Sequence, residues 1–246
     1  MTQPETARRE QLATALAAVR ARIATACERA GRAPGEVRLV AVTKTFPATD
    51  AALLTDLGML DLAENREQEA GTKVAELREL RPDAAVRWHM VGRLQRNKAR
   101  SVARWAAEIQ SVDSVRLARA LDRAAGTARA AGERTGPLDV LVQASIDGDP
   151  ERGGCPLGGL GELADEVAGS GELRLRGLMA VAPLHADPAE SFASLARAAD
   201  RLRRDHPDAT ELSAGMTNDL EIAVTHGSTC VRVGTALLGS RGLASP

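Results

Sequence analysis

The sequence has few of the features that mark membrane, secreted or nucleic-acid-binding proteins. Its 246 residues include no tyrosine and only two tryptophans and two phenylalanines, so no tyrosine acid or base can serve its chemistry. No apolar stretch approaches the ~20 residues that cross a bilayer, and the start of the chain lacks the order of a signal peptide. Lysine plus arginine (32) balances aspartate plus glutamate (33), which leaves no overall field for nucleic acid or an anionic membrane. We therefore expect a soluble protein.

The cysteine content indicates the cellular compartment, and the length limits the number of domains. Cys27, Cys155 and Cys230 are odd in number and far apart, which is not a disulfide framework and is typical of the reducing cytoplasm. A chain of this length fits one barrel or two small domains, and no linker rich in proline, glycine and serine divides it. We predict a single domain over residues 1–246.

Apolar runs with strand character alternate with helical stretches. An amphipathic helix is predicted over about 6–31. Eight strand-like runs follow, at residues 37–44, 58–64, 86–92, 108–112, 138–146, 174–181, 210–215 and 229–234. Amphipathic segments lie between them at 65–80, 114–131, 160–169 and 187–205. Such alternation builds parallel sheets, and eight units predict a closed (β/α)8 TIM barrel over about 37–239. A doubly wound open sheet is the alternative fold.

Lys44 stands where the first predicted strand leaves the core. The run from Val37 to Thr43 is predominantly apolar, as expected of a strand that is buried on both faces. A lysine at such a strand end attacks carbonyl groups when burial or a neighbouring charge favours its neutral form. An ordinary solvated lysine is the alternative and, from this segment alone, the commoner case.

The ends of the last two predicted strands carry parts that suit a phosphate. Barrels place their chemistry at the C-terminal strand ends and often bind phosphate after strands seven and eight. Residues 213–218 offer hydroxyls and a glycine before a helix that starts near Asp219, where free N–H groups favour an anion; ordinary helix capping explains this segment equally well. Arg232 points to the same side as Gly234 and needs a partner, either an interior carboxylate or a ligand. These parts suggest a ligand with an aldehyde, a ring and a phosphate.

Six segments in a fixed order carry a more specific signal than any single motif. They are Ala41-Val42-Thr43-Lys44-Thr45, Ala63-Glu64-Asn65 with Gln68-Glu69, Trp88-His89-Met90-Val91-Gly92 with Leu94-Gln95-Arg96-Asn97-Lys98, Gly177-Leu178-Met179, Ser213-Ala214-Gly215-Met216-Thr217-Asn218-Asp219, and His226-Gly227-Ser228-Thr229-Cys230-Val231-Arg232-Val233-Gly234-Thr235. Together they resemble the pyridoxal phosphate homeostasis protein family over about residues 37–239.

The resemblance implies a barrel like the N-terminal domain of alanine racemase, with pyridoxal 5′-phosphate as its cofactor. The family's cofactor-binding positions match Lys44, Asn65, Ser213, Met216, Thr217, Arg232, Gly234 and Thr235. By this likeness Lys44 forms the Schiff base, Arg232 faces the pyridine nitrogen, Asn65 lies near the ring, and the other five hold the phosphate. An arginine at the nitrogen makes the ring a weaker electron sink than an aspartate would, so strong carbanion chemistry is disfavoured.

The resemblance further implies a carrier without metal or strong catalysis, which buffers the cofactor in the cytoplasm and delivers it to PLP-dependent apo-enzymes as a monomer or weak homodimer. A racemase or decarboxylase of the same barrel type is the alternative. Racemisation of the alanine racemase type needs a tyrosine base, which no homodimer of this chain supplies, and the covering β-domain of such enzymes is also missing. A nucleic-acid or phosphoprotein binding module built on residues 93–104 is a third possibility.

Four positions depart from the family pattern. The family commonly has glycine and tyrosine where this chain has Ala63 and Arg66, and histidine and serine where it has Arg93 and Arg96. The departures leave the lysine and phosphate motifs intact and affect ring stacking or the rim. The added arginines form either an anion-attracting rim or the solvated face of a helix.

Overall fold

The computed structural model describes residues 3–149, 152–183 and 185–239, so the outermost ends of the predicted domain lie outside the described residues. The strands are β1 (Arg38–Val42), β2 (Asp61–Glu64), β3 (Arg87–Met90), β4 (Glu108–Val112), β5 (Leu138–Ser145), β6 (Cys155–Pro156), β7 (Leu173–Met179), β8 (Glu211–Ser213) and β9 (Cys230–Val233). All pairings are parallel, and β6 joins only the end of β5.

The other eight strands close a barrel. β1 pairs with both β2 and β9, and β4 pairs with both β3 and β5, so the sheet has no free edge between them. In the β1–β9 pair Val40 lies opposite Arg232. The prediction of a (β/α)8 barrel with eight strands is confirmed, and the open doubly wound sheet is excluded because its edge strands would remain unpaired.

Helices surround the barrel. They are α1 (Gln3–Arg29), α2 (Ala48–Asp56), α3 (Glu67–Leu80), α4 (Ala99–Val102), α5 (Val115–Ala130), α6 (Leu160–Ala168), α7 (Pro188–Asp205), α8 (Leu220–Thr225) and α9 (Thr235–Leu238). Short 3-10 turns lie at Pro34–Glu36, Arg96–Lys98 and Leu157–Gly159. α1 buries the predicted apolar face, which comprises Leu12, Leu16, Val19, Ile23 and Cys27.

Strand residues alternate between two environments. In β4, Ile109 belongs to the apolar layer between the barrel and the helices, and Val112 joins the same layer because the strand register shifts between these two residues. Glu108 and Gln110 are equally buried but polar, and they hydrogen-bond to side chains of other strands. The period-two pattern of a strand thus fills the wall with apolar groups and the barrel interior with a polar network.

Several elements differ from the predicted pattern. α2, α4, α9 and β6 were not among the predicted segments, and the basic stretch 93–104 forms a 3-10 turn and a four-residue helix rather than one longer helix. None of the helices within the described ranges is long and apolar enough to cross a bilayer. Those same residues contain no cluster of three or more histidine, cysteine or acidic side chains that suits a metal ion.

Candidate functional site

A cavity of about 520 Å³ opens at the C-terminal ends of the strands. Its wall combines the turn after β1, the residues after β7, and the loops after β8 and β9. Six of the eight predicted site residues line it: Lys44, Met216, Thr217, Arg232, Gly234 and Thr235. The barrel therefore brings together residues that lie far apart in the sequence, from Lys44 to Thr235.

Lys44 lies in an exposed turn directly after β1 and borders the cavity. Its neighbour Thr45 has φ of +67° and is the only non-glycine residue in the described part of the chain with positive φ. A β-branched residue in this region is strained, and such strain is concentrated at ligand and active sites. The turn closes through the N–H of Phe46, which donates to the carbonyl of Thr43 (3.1 Å).

A buried ion pair supports this turn from below. The ammonium of Lys73 donates to Oε1 of Glu64 (2.5 Å) and to the backbone carbonyl of Thr43 (2.8 Å). The Thr43 hydroxyl donates to the same carboxylate oxygen (2.6 Å). All three residues are buried. The network fixes the carbonyl that immediately precedes Lys44, and sequence reasoning gave Lys73 no role.

Arg232 is a buried cation without a carboxylate partner among the described residues. Its Nη1 donates to Oγ of Ser213 (2.6 Å) and its Nη2 to the carbonyl of Ala180 (2.8 Å). Burial lowers the pKa of the guanidinium, and electrostatic interactions with Cys230 and Asp219 offset part of that effect. Because a guanidinium has five N–H groups, it retains donors for a ligand in the cavity. Of the two predicted partners, only the ligand remains available.

The loop after β8 presents backbone amides to the cavity. The N–H of Met216 donates to Oδ1 of Asp219 (2.6 Å), and the Thr217 hydroxyl accepts from the N–H of Ala236 (3.3 Å). The N–H groups of Thr217 and Asn218 make no hydrogen bond to any residue that the structure describes. Since α8 has only six residues, its dipole adds little, and the amides themselves must provide most of the affinity for an anion.

α1 holds this loop from outside the barrel. Nη2 of Arg22 donates to the carbonyl of Thr217 (2.8 Å), and its guanidinium forms a bidentate pair with Glu221 (2.7 and 2.9 Å). Arg8 pairs with Asp50 of α2 (2.7 Å) and donates to a carbonyl at the end of α9. The helix therefore links the loops that border the cavity, a role that its sequence did not reveal.

The two remaining predicted residues do not line the cavity. Ser213 is fully buried; its hydroxyl accepts from Arg232 and donates to Oε1 of Gln110 (2.7 Å). Asn65 follows β2, and its buried Oδ1 has no hydrogen-bond partner among the described residues. Its backbone carbonyl packs so closely on Gly92 that a Cβ there would lie 2.0 Å from the oxygen. Position 92 therefore requires glycine.

A polar network fills the barrel below the cavity. His89 is fully buried between Oδ1 of Asp61 (2.8 Å) and Oε1 of Glu108 (3.1 Å), and Arg38 also contacts Glu108 (3.2 Å). Burial acts to lower the pKa of His89, but its bonds to the two carboxylates outweigh burial and raise it. Burial acts to raise the pKa of Glu108, yet His89 and Arg38 lower it to about 2. Both groups are therefore held in their charged forms.

The arginines that depart from the family pattern lie on the surface. Arg66 is exposed and pairs with Glu69 (3.1 Å). Arg93 and Arg96 are exposed at the end of β3, where they line a second cavity of about 680 Å³ together with Arg116. They add positive charge to one side of the barrel mouth, away from the loops after β8 and β9.

Comparison with known proteins identifies the family. The family model for the alanine racemase N-terminal domain matches residues 14–242. A Mycobacterium leprae protein named pyridoxal phosphate homeostasis protein is 50% identical over 247 residues, which cover 97% of this chain and 96% of that protein. The chain belongs to the pyridoxal phosphate homeostasis protein family.

Solved structures agree with this family assignment. PipY of Synechococcus elongatus PCC7942, solved with PLP bound, is 34% identical with a TM-score of 0.78, covering 93% of this chain and 100% of PipY. A protein of unknown function from Bifidobacterium adolescentis is 31% identical with a TM-score of 0.86, covering 96% and 97% of the two chains. The six sequence segments predicted a resemblance to the pyridoxal phosphate homeostasis protein family, and this prediction is confirmed.

Proposed function

We propose that this chain binds pyridoxal 5′-phosphate in the 520 Å³ cavity and holds it as a Schiff base on Lys44. The observation that carries the proposal is the set of groups around one space: an exposed amine, a buried guanidinium with donors to spare, and unpaired backbone amides. The PLP-bound structure of the relative PipY supports the same ligand.

The residues fit the three polar parts of this cofactor. The buried guanidinium of Arg232 suits an acceptor such as the pyridine nitrogen, because it only donates hydrogen bonds. The amides of Thr217 and Asn218, the Thr217 hydroxyl and the backbone at Gly234 and Thr235 suit the phosphate. The Met216 amide is engaged by Asp219, so we assign it a smaller share. Asn65 and Ser213 do not line the cavity, so we assign them no direct contact with the cofactor.

Elimination among the lysines also favours Lys44. The chain contains three lysines, Lys44, Lys73 and Lys98. Lys73 is buried against Glu64, and Lys98 pairs with Glu67 (3.3 Å). Lys44 is the one lysine that both borders the cavity and has no carboxylate partner in the described part of the chain. Attack on an aldehyde needs an amine that no carboxylate holds as an ion pair.

The chemistry is reversible capture. Bound pyridoxal phosphate supplies an aldehyde that condenses with amines. The Lys44 nitrogen attacks the aldehyde carbon, a C=N bond forms, and the carbonyl oxygen leaves as water; hydrolysis restores both partners. Because Lys44 is exposed, water reaches this bond readily in either direction. These properties suit a protein that buffers the cofactor inside the cell and releases it to PLP-dependent apo-enzymes.

The test uses the wild type, Lys44→Ala and the control Lys98→Ala. Incubation with pyridoxal phosphate should give the wild type and the control a visible absorption band and an adduct that borohydride makes permanent. Lys44→Ala should show neither, because it lacks the attacking nitrogen. An adduct that persists in Lys44→Ala, located by peptide mass spectrometry on another residue, would refute the assignment.

A racemase or decarboxylase is the second candidate, and the alanine racemase domain match favours it. Two arguments oppose it: a guanidinium at the ring nitrogen, as proposed for Arg232, would leave that nitrogen without a proton, and the sequence contains no tyrosine to act as a base. We therefore propose that catalysis is absent or weak. The loaded protein should not exchange the α-proton of alanine in heavy water; a turnover of ~1 per second would establish an enzyme.

A further inference from the structure

Arg232 is connected through the barrel interior by an unbroken chain of hydrogen bonds. Its Nη1 donates to Ser213 Oγ (2.6 Å), Ser213 Oγ donates to Gln110 Oε1 (2.7 Å), and Gln110 Nε2 donates to Glu108 Oε1 (2.7 Å). His89 holds the same Glu108 oxygen from the other side (3.1 Å). All of these side chains are buried, and Ser213, Gln110, Glu108 and His89 are fully buried.

The direction of each bond follows from the chemistry of the groups. An arginine only donates, so the Ser213 oxygen must accept from Arg232 and must direct its single proton elsewhere. That proton goes to the carbonyl oxygen of Gln110. The amide can present this oxygen because its NH₂ group faces Glu108, whose ionised carboxylate has no proton to donate and only accepts. The Glu108 carboxylate thus sets the orientation of the Gln110 amide, and the amide sets that of the Ser213 hydroxyl.

We propose that Gln110 is a positioning residue for Arg232 and fixes the direction in which the guanidinium meets the ligand. Gln110 does not line the cavity; it acts through Ser213, which with the Ala180 carbonyl anchors the guanidinium at two points. Without Gln110, the Ser213 hydroxyl loses its acceptor and is free to rotate toward other groups. A guanidinium that is anchored at only one point loses more conformational entropy when it binds the ligand, which lowers the affinity. This inference rests on the proposed binding of pyridoxal phosphate.

The matched experiment compares Gln110→Met with Ser111→Ala. Methionine keeps the length of the side chain but offers no comparable acceptor, whereas Ser111 is a buried neighbour whose hydroxyl has no partner among the described residues. Gln110→Met should still give the borohydride-stable adduct on Lys44. Its absorption maximum should shift, because the charge beside the ring has moved, and its affinity for pyridoxal phosphate should fall about tenfold. Ser111→Ala should match the wild type in both measurements.

A double-mutant cycle distinguishes an effect transmitted through Ser213 from a general loss of structure. Ser213→Ala breaks the same chain one bond closer to Arg232, so Gln110→Met and Ser213→Ala combined should weaken binding no more than Ser213→Ala alone. Additive losses, or a wild-type spectrum and affinity in Gln110→Met, would overturn the proposal. If Gln110→Met does not fold, a wild-type spectrum in Ser213→Ala overturns it equally. A wild type that forms no adduct would instead refute the proposed function itself.

Discussion

At the scale of single residues, Lys73 shows how a charged group can shape a site that it does not enter. The buried Lys73 ammonium holds Glu64 and the carbonyl before Lys44. Lys73→Met should cost about 3–5 kcal/mol of unfolding free energy, because it leaves the Glu64 carboxylate buried without its cation. Urea denaturation followed by circular dichroism measures this cost.

Two further variants serve as controls for the predicted stability loss in Lys73→Met. Lys98→Met removes a lysine that pairs with Glu67 but is about a third exposed, so it should cost less than about 1 kcal/mol. Adding Glu64→Gln to Lys73→Met should recover part of the loss, since no buried charge then remains. Equal stabilities of Lys73→Met and Lys98→Met would show that the buried pair does not contribute as described.

The position of Lys73 in the sequence indicates a buried residue, although lysine is usually exposed. Ala70, Lys73, Val74 and Leu77 follow helical spacing and form the buried face of α3, so a lysine stood within an apolar stripe. Lys44 and Arg232 were predictable because each interrupts or ends an apolar strand. The strain at Thr45 was not predictable, since a β-branched residue ordinarily avoids positive φ.

At the scale of elements, the barrel strands were predictable and several helices were not. The barrel strands fall in the eight strand-like runs, to within one residue, and eight such runs alternating with helical stretches leave few topologies. α2 was missed because seven of its nine residues are buried, so it lacks the polar face that marks an amphipathic helix. α4 and α9 have four residues each, which is too short to show a helical period.

α1 is the element whose role depends most on tertiary contacts. Arg22→Gln removes the donor to the Thr217 carbonyl and the pair with Glu221. The loop after β8 should then order less well around a phosphate, and affinity for pyridoxal phosphate should fall about fivefold, the equivalent of roughly 1 kcal/mol. Fluorescence titration measures the affinity.

The control for α1 is an equivalent ion pair elsewhere. Arg119 forms a bidentate pair with Glu166 between α5 and α6 (2.8 and 2.9 Å), remote in sequence from every residue of the cavity wall. Arg119→Gln should leave the affinity unchanged. If Arg22→Gln binds as tightly as Arg119→Gln, α1 does not stabilise the binding loop.

At the scale of the whole molecule, the charged network in the barrel interior couples folding to pH. Glu108 has a pKa of about 2 in the folded protein against 4.5 ordinarily, so its contribution of about 3 kcal/mol is present above pH 4.5 and lost as pH falls toward 2. Asp61, whose pKa is also lowered, acts in the same direction. Glu211 acts oppositely, because burial and Glu108 raise its pKa.

His89 produces the loss of stability on the alkaline side. Because its pKa in the folded protein lies above the ordinary 6.5, its contribution is complete below pH 6.5 and disappears as pH rises through the folded value. The free energy of unfolding should therefore peak between about pH 4.5 and 6.5 and decline as the pH rises above 6.5. Urea denaturation across this range tests the curve, with His89→Gln as the variant that should lose the alkaline decline. A wild-type curve that stays level or rises above pH 6.5 would mean that His89 is neutral between its two carboxylates. Arg38 and Arg87 would then be the cations that stabilise Asp61 and Glu108.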